Sequence, residues 1–223
     1  MRLPLLWVLL TSAATAAAQP VLHFTDVSAE TGMWSVPTAW GVTAEDVDGD
    51  GDIDLLMANN GSENALFRNE GGLHFRGQPI IGGALSTEAL VPGDVNGDGH
   101  LDLFGSAWQG PSNLLLGDGT GRFSVGTDAA GLPTIPDGCC GGAALGDLDG
   151  DGDLDLYLPD GYKGDRLLMN GDGYFTDVTE QVGLPKTPRS EAALMADLNG
   201  DGRLDLVVSA GRSKNLVWYE KGR

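Results

Sequence analysis

The sequence of 223 residues predicts an all-β fold built from four repeats, and three observations predict it. An acidic stretch of nine residues recurs four times, beginning at Asp46, Asp94, Asp147 and Asp197. Successive copies begin 48, 53 and 50 residues apart, and a period of this length is typical of repeat architectures. Each copy is followed by a short apolar run closed by turn residues, which is typical of a buried strand.

The acidic stretches have the composition of calcium loops. The first reads DVDGDGDID from Asp46 to Asp54, with a carboxylate at every second position. Ca²⁺ takes six to eight oxygen ligands at about 2.3–2.6 Å, drawn from carboxylates and a backbone carbonyl around a tight loop. Gly49 and Gly51 allow the backbone to curl around an ion without Cβ clashes. We therefore predict up to four Ca²⁺ sites, with side-chain ligands from loop positions 1, 3, 5 and 9 and a carbonyl from position 7.

The predicted ligand set has the same five positions in every loop. In the first loop these are Asp46, Asp48, Asp50, Asp52 and Asp54; in the second, Asp94, Asn96, Asp98, His100 and Asp102. In the third they are Asp147, Asp149, Asp151, Asp153 and Asp155; in the fourth, Asp197, Asn199, Asp201, Arg203 and Asp205. Asn96 and Asn199 keep an oxygen at position 3 but lower the negative charge, so these two sites are expected to bind calcium more weakly.

Two other interpretations of the loops are less favoured. An EF-hand needs a bidentate Glu at position 12 and a following helix. Position 12 is occupied here by Met57, Gly105, Leu158 and Val208, none of which has a carboxylate. Simple solvated acidic turns would not need the same oxygens at the same four positions in all four copies.

Each repeat contains four candidate strands. In the first repeat these are Gly41–Ala44, Ile53–Met57, Asn64–Arg68 and Leu73–Arg76, and a glycine-rich hairpin turn joins the last two. Four antiparallel strands per repeat form a β-propeller blade, and propellers have typically about four to eight blades. We predict four blades, with repeats at about 36–78, 84–126, 137–179 and 187–219.

The N-terminal stretch of the chain is expected to close the ring. Phe75, Phe123 and Phe175 mark the fourth strand of the first three repeats, whereas the last repeat has no such strand. The stretch His23–Val27 matches Tyr174–Val178, and both contain Phe-Thr-Asp-Val. We therefore predict that residues 22–27 complete the last blade within one molecule, which removes an open sheet edge. Completion of the ring by dimerisation is the alternative.

The repeated loop and its following strand resemble the FG-GAP/VCBS repeats of integrin-α-like β-propellers. This resemblance implies that each calcium loop joins the two inner strands of a blade, with ligands at the positions given above. The Phe-Thr-Asp-Val-Thr phrase with its following Val-Gly-Leu resembles the cartilage acidic protein (ASPIC/UnbV-type) group. Those proteins usually have longer propellers and a further C-terminal module.

The first eighteen residues are typical of a cleaved secretory signal. Arg2 precedes the apolar run Leu3–Leu10, and Ala16–Ala18 ends the segment. We expect a single domain at 19–223, secreted or periplasmic, with no transmembrane span.

The net charge of −19 disfavours nucleic-acid and anionic-membrane partners, since both require clustered Lys and Arg. Half of the acidic residues lie in the four loops.

The two cysteines of the chain are adjacent, at Cys139 and Cys140. They either form a strained vicinal disulfide or remain reduced at the entrance of a strand. Neighbouring Cα atoms lie about 3.8 Å apart, which is less than the usual span of about 4.4–6.8 Å in a disulfide. The histidines are too scattered in the sequence to suggest a soft-metal site.

The sequence contains no nucleophile elbow, phosphate loop, zinc-protease signature or dinucleotide fingerprint, so we do not expect an enzyme.

Aromatic and basic residues gather in the loops at the end opposite to the acidic ones, and the candidate partner-binding residues are Trp40, Trp108, Tyr162, Arg189 and Arg212. We expect a calcium-stabilised binding or adhesion module for an extracellular protein or glycan. The alternatives are a structural scaffold without its own ligand and a polysaccharide-active enzyme.

Overall fold

The protein is all-β, as the sequence predicts. The computed structural model describes residues 22–36, 38–82, 86–108, 110–133, 142–160, 164–184, 190–210 and 215–218. These residues form fifteen strands in four antiparallel sheets and one 3₁₀ helix at Ser28–Glu30. The predicted signal segment 1–18 and the cysteine pair lie outside the described residues.

The strands follow the repeats in order. Sheet 1 contains β1 (Ala39–Glu45), β2 (Asp54–Asn59), β3 (Asn64–Asn69) and β4 (Phe75–Ile80). Sheet 2 contains β5 (Thr87–Gly93), β6 (Asp102–Ala107), β7 (Asn113–Gly117) and β8 (Phe123–Val125). Sheet 3 contains β9 (Ala144–Gly146), β10 (Asp155–Leu158), β11 (Arg166–Gly171) and β12 (Tyr174–Asp177). Sheet 4 contains β13 (Ser190–Ala196), β14 (Asp205–Ala210) and β15 (Leu216–Trp218).

Each acidic loop joins the first two strands of its sheet. The second strand begins at the ninth loop residue, which is Asp54, Asp102, Asp155 or Asp205. The residues that follow are apolar and largely buried, because each of these strands has a paired strand on both sides and packs against a neighbouring sheet. A strand in place of a helix after every loop excludes the EF-hand interpretation.

Hairpin turns join the third and fourth strands, as predicted. In sheet 1, Gly71 and Gly72 have φ angles of +93° and +62°, which a glycine adopts without the steric cost that a Cβ would add. His74 N–H donates to Gly71 O at 3.2 Å and closes the turn. The fourth strands contain the predicted phenylalanines, Phe75, Phe123 and Phe175.

The core lies between successive sheets. Leu56 and Leu66 of sheet 1 pack with Leu103 of sheet 2, and a second cluster fills the space between sheets 2 and 3. A third cluster places Tyr157 of sheet 3 against Val208 of sheet 4. Burial of each such side chain contributes about 1.5–3 kcal/mol, so these layers hold the repeats together.

The first strands of successive sheets lie next to one another. β1 contacts β5, β5 contacts β9, and β9 contacts β13. The Thr43 hydroxyl donates a hydrogen bond of 2.8 Å to the Leu90 carbonyl, which ties sheet 1 to sheet 2. Within the described part of the chain, no comparable packing joins β13 back to β1.

The prediction that residues 22–27 form the closing strand is wrong for this structure. These residues have no strand, and sheet 4 has three strands in the described ranges. The physical reason is the lack of a partner edge: the Phe75 N–H donates to the Thr31 carbonyl at 2.7 Å and holds this segment beside sheet 1, and no described strand of sheet 4 packs closely against sheet 1. The residues that precede Thr31 extend from sheet 1 and are exposed to solvent.

Among the described residues, no helix has the length and apolar composition that crossing a membrane requires.

Candidate metal centres

The first aspartate organises the backbone of every acidic loop. In the first loop, Asp46 Oδ1 accepts a hydrogen bond from Gly49 N–H at 2.8 Å and Asp46 Oδ2 accepts one from Gly51 N–H at 3.0 Å. Both glycines have positive φ angles, +74° and +93°, which explains why glycine stands at these positions. The other loops repeat this pair of hydrogen bonds at Asp94, Asp147 and Asp197.

Backbone hydrogen bonds are also accepted at position 5 of every loop and at position 3 of the second, third and fourth loops. Asp50 Oδ1 accepts from Asp52 N–H at 2.9 Å, and the fifth residue of each other loop also accepts from the seventh. Asn96 Oδ1 accepts from Asp98 N–H at 3.0 Å, which shows that asparagine keeps the acceptor at position 3. A carboxylate oxygen has two lone pairs, so each oxygen that accepts one N–H can still bind a cation.

Carboxylates converge in the first and third loops. One oxygen from each of Asp46, Asp48 and Asp54 lies within 4.8 Å of the others. In the third loop the corresponding trio is Asp147, Asp149 and Asp151. The structure therefore brings the predicted ligands at positions 1 and 3 together in both loops, with position 9 in the first and position 5 in the third.

The chemistry of the first loop fits a hard divalent cation. Oδ1 of Asp48 is buried and has no hydrogen-bond partner among the described residues. A buried, unpaired carboxylate oxygen is costly unless a cation or a donor reaches it. The side chains offered are oxygen donors without sulfur, which suits Ca²⁺ rather than a soft transition metal.

The ninth residue ties each loop to the sheet. Asp102 Oδ2 accepts from Val95 N–H at 3.0 Å and Asp102 Oδ1 from Gly117 N–H at 2.9 Å. Asp54 and Asp155 accept from the equivalent pairs of N–H groups, and Asp205 accepts from Leu198 N–H. These four aspartates are buried, in contrast to the exposed fifth residues. Position 9 was predicted as a ligand, and its role in holding the loop against the third strand was not predicted.

Burial raises the pKa of the ninth residue in three loops. Desolvation is the main cause at Asp54, Asp102 and Asp155, and it raises the pKa of Asp155 to about 6. The two backbone N–H donors oppose this rise, while neighbouring loop carboxylates add to it. At exposed Asp197 the Gly202 N–H is the main cause of a lowered pKa. A cation beside the buried carboxylates would favour their charged form.

The side chains at position 7 differ in what they contact. Asp153 Oδ2 accepts from Asp172 N–H at 2.8 Å in the β11–β12 turn. The Arg203 guanidinium donates to Asp201 Oδ2 at 2.8 Å, so one positive charge offsets a carboxylate of the fourth loop. These contacts agree with a position that would offer its backbone carbonyl, rather than its side chain, to an ion.

Arg68 is a residue of the first site that sequence reasoning missed. Its guanidinium forms an ion pair with Asp48 Oδ2, although it lies twenty residues further along the chain. A polar cavity of about 520 Å³ adjoins this pair and is also lined by Arg76 and Arg122. The corresponding third-strand positions of sheets 2 and 3 hold Leu116 and Met169, so no repeat pattern could have indicated a cation here.

Two predicted partner-binding residues can be placed. Trp40 lies at the start of β1 and Trp108 directly follows β6, so both lie at the end of their sheets away from the acidic loops, and both are exposed. Tyr162, Arg189 and Arg212 lie outside the described residues, so the grouping of these five side chains remains a prediction.

Comparison with known proteins gives a family match. The model of the FG-GAP-like repeat matches residues 46–105, 94–158 and 160–208. No curated protein matches the chain. Among solved structures, the crystal structure of the V. cholerae biofilm matrix protein Bap1 is similar, with a TM-score of 0.44 and 19% sequence identity. The match covers 77% of this chain and 24% of Bap1, so the chain spans about a quarter of that protein's length.

Proposed function

The chain belongs to the FG-GAP-like repeat family, and from this premise we propose that it is an exported calcium-binding protein that acts as a non-catalytic binding or adhesion module for an extracellular protein or glycan. The four sheets are the blades of a β-propeller, and up to four Ca²⁺ ions lie in the loops between the first two strands of each blade.

One observation carries the calcium assignment: all four loops share one hydrogen-bonded conformation. In each loop the first aspartate accepts from the N–H groups of the fourth and sixth residues. These bonds hold the backbone of each loop in a tight curve, and in the first and third loops three carboxylates offer oxygens within 4.8 Å of one another. Clustered carboxylate oxygens around a tight loop are the ligands that Ca²⁺ prefers.

The binding role is supported by the position of the aromatic side chains. The acidic side chains of the loops are used in loop structure and in the ion sites, which leaves the opposite end of the sheets for a partner. Trp40 and Trp108 are exposed there, and tryptophan is among the residues that contribute most to interfaces.

The test is a screen of the purified chain, with Ca²⁺ present, on arrays of glycans and secreted proteins. We expect a ligand whose binding falls at least tenfold in the Trp40→Ala and Trp108→Ala variants. Leu73→Ala is the matched control, because Leu73 is exposed at the loop end of sheet 1. Turnover in a polysaccharide panel, or binding that neither tryptophan affects, would contradict the proposed role.

A further inference from the structure

Among the described residues, no neighbouring sheet covers the third strand of sheet 4. In every sheet the polar residue at the start of this strand accepts a hydrogen bond from the N–H of the residue five positions earlier, which aligns the four repeats. The residue two positions after this polar residue is Leu66, Leu114, Leu167 or Val217 in sheets 1 to 4 respectively. The first three are 0%, 1% and 8% exposed, because each is covered by the next sheet, whereas Val217 is 59% exposed.

Val217 is part of an apolar strip. The strand registers place Leu194 opposite Val207, and Val207 opposite Val217, so the three side chains share one face of sheet 4. Ala193 and Met195 pack toward sheet 3 on the other face, and Leu194 is exposed. The strip of Leu194, Val207 and Val217 therefore points away from sheet 3.

Sheet 1 has a complementary exposed position on its own outer face. Val42 lies four residues before the aspartate that begins its loop. The residues at the same position in the later repeats are Leu90, Ala143 and Ala193. Leu90 and Ala143 are buried, whereas Val42 is 64% exposed. Its neighbour Thr43 bonds to sheet 2, so Val42 lies on the opposite face of the strand.

The N-terminal segment has the local structure of a fourth strand and its following turn. Asp26 Oδ1 accepts hydrogen bonds from the N–H and the hydroxyl of Ser28, at 3.0 and 2.7 Å. Asp177 accepts the same two bonds from Thr179, at 3.0 and 2.6 Å, directly after β12. Phe24 corresponds to Phe175 of β12, but it is 94% exposed where Phe175 is buried.

The turn that follows a fourth strand has a partner on the third strand. Thr179 Oγ1 accepts from Leu167 N–H at 2.9 Å, and Thr127 Oγ1 accepts from Leu114 N–H at 3.0 Å. When the repeats are aligned, the Ser28 hydroxyl takes the place of the two threonine hydroxyls. The Val217 N–H takes the place of the two leucine N–H donors. In the described ranges, sheet 4 has no fourth strand to provide this hydroxyl.

We propose that a second copy of this chain provides the missing strand. Residues 22–28 of one copy pair along β15 of the other, where Ser28 Oγ accepts from Val217 N–H. Val42 of the first copy then covers the strip around Leu194 of the second. Repeated by a two-fold axis, this contact closes a ring of eight sheets, which is within the range of about four to eight known for propellers.

The structure favours a second copy over closure within one molecule. The Thr31 carbonyl and the Trp34 ring hold the N-terminal segment on sheet 1, and the described strands of sheet 1 have at most marginal contact with those of sheet 4. The segment therefore extends from one end of the array of sheets, while its complementary edge lies at the other end. This inference rests on the open strand edge and the apolar strip of sheet 4, and it does not depend on the proposed calcium or partner binding.

The first test is the mass of the purified chain in solution, measured by light scattering and sedimentation over a range of concentrations. We expect a dimer, and we expect Val217→Asp to weaken it at least about 100-fold, because a charge would be buried at the contact. Leu73→Asp, at an exposed residue outside the contact, is the control and should leave the dimer intact. Circular dichroism is to be used to check that the variants are folded. A monomeric parent chain overturns the proposal.

The second test is a cysteine pair at the predicted contact. Ser28→Cys combined with Val217→Cys should form a disulfide between two chains on oxidation, seen as a dimer band that reduction removes. Each single variant, with the native cysteine pair unchanged, should lack most of this band. A disulfide within one chain would show that the ring closes inside the molecule, and the absence of any disulfide would show that the contact does not form; either result overturns the proposal.

Discussion

The carboxylate of Asp54 accepts a hydrogen bond of 2.7 Å from the backbone N–H of Asn69, fifteen residues further along the chain. Asp54 ends the first acidic loop and begins β2, while Asn69 ends β3. The loop and the hairpin of sheet 1 are thus joined by a buried carboxylate. The same contact recurs at Asp102 and Asp155, so we expect ion binding in the loops and stability of the sheets to be linked.

Removal of calcium is predicted to lower the melting temperature. At ten times its dissociation constant, one bound ion adds about 1.4 kcal/mol to the free energy of unfolding, so four ions add about 6 kcal/mol. For a chain of this length about 1 kcal/mol shifts the melting temperature by roughly 2–4 °C, which predicts a loss of about 10–20 °C. Melting curves with Ca²⁺ and with excess EGTA provide the measurement, with Ca²⁺-saturated EGTA as the control. Superimposable curves would contradict the prediction.

The ninth loop residue is predicted to matter even without calcium. Asp102→Ala leaves the N–H groups of Val95 and Gly117 without their buried acceptor, which costs about 1–3 kcal/mol for each unpaired group. Relief of the desolvation that raises the Asp102 pKa offsets part of this loss, so we expect a net destabilisation of about 2 kcal/mol. Urea unfolding in EGTA measures it.

The matched control for Asp102→Ala is Asp98→Ala in the same loop, since Asp98 is exposed. This variant should lower calcium affinity while it changes the free energy of unfolding of the metal-free chain by less than about 0.5 kcal/mol. Equal losses of metal-free stability in the two variants would show that position 9 has no special structural role.

The predictable part of this structure is the part that repeats. The four loops and their following strands could be predicted because each copy supports the others, and the hairpin turns could be predicted from glycines that tolerate positive φ angles. Strand ends were less predictable: β4 extends to Ile80, past the predicted end at Arg76, because its pairing with β3 continues to Asn64.

Features without a sequence period could not be predicted. The ion pair between Arg68 and Asp48 occurs in one repeat, and only the fold brings the two side chains together. The hydrogen bonds of Asp54 to two distant N–H groups involve backbone atoms, which a sequence does not distinguish. Residues 22–27 have the sequence of a strand, but a strand also needs a partner edge, and in the described part of the chain no strand of sheet 4 packs closely against sheet 1, where Thr31 is held.

Arg68 is predicted to weaken the first calcium site. Its guanidinium contacts Asp48, so it competes with the ion for a ligand and repels it by charge. We expect Arg68→Met to raise calcium affinity at this site by roughly 3- to 10-fold, which corresponds to about 0.6–1.4 kcal/mol. Calorimetric titration with Ca²⁺ measures the change. Arg166→Met is the control, because Arg166 lies 3.8 Å from Asp177 in sheet 3 and does not line the cavity at the first loop. Lower affinity in Arg68→Met would mean that Arg68 supports the site.

The second loop is predicted to gain affinity from one added charge. Asn96→Asp keeps the acceptor for Asp98 N–H and adds a carboxylate at position 3, as in the first and third loops. We expect roughly a tenfold increase in affinity at this site, since Ca²⁺ affinity rises with the number of charged ligands. Asn60→Asp adds the same charge at the opposite end of a sheet and serves as the control. A titration in which the two variants behave alike would count against ion binding by the second loop.

The most direct measurement of the central claim is the number of Ca²⁺ ions bound by the purified chain, determined by equilibrium dialysis with metal analysis over a range of free calcium. The proposed sites predict a stoichiometry that approaches four, with the two weakest sites lost first as calcium is lowered. A chain that binds no calcium at millimolar free ion, while remaining folded, would contradict the assignment of the acidic loops as metal centres.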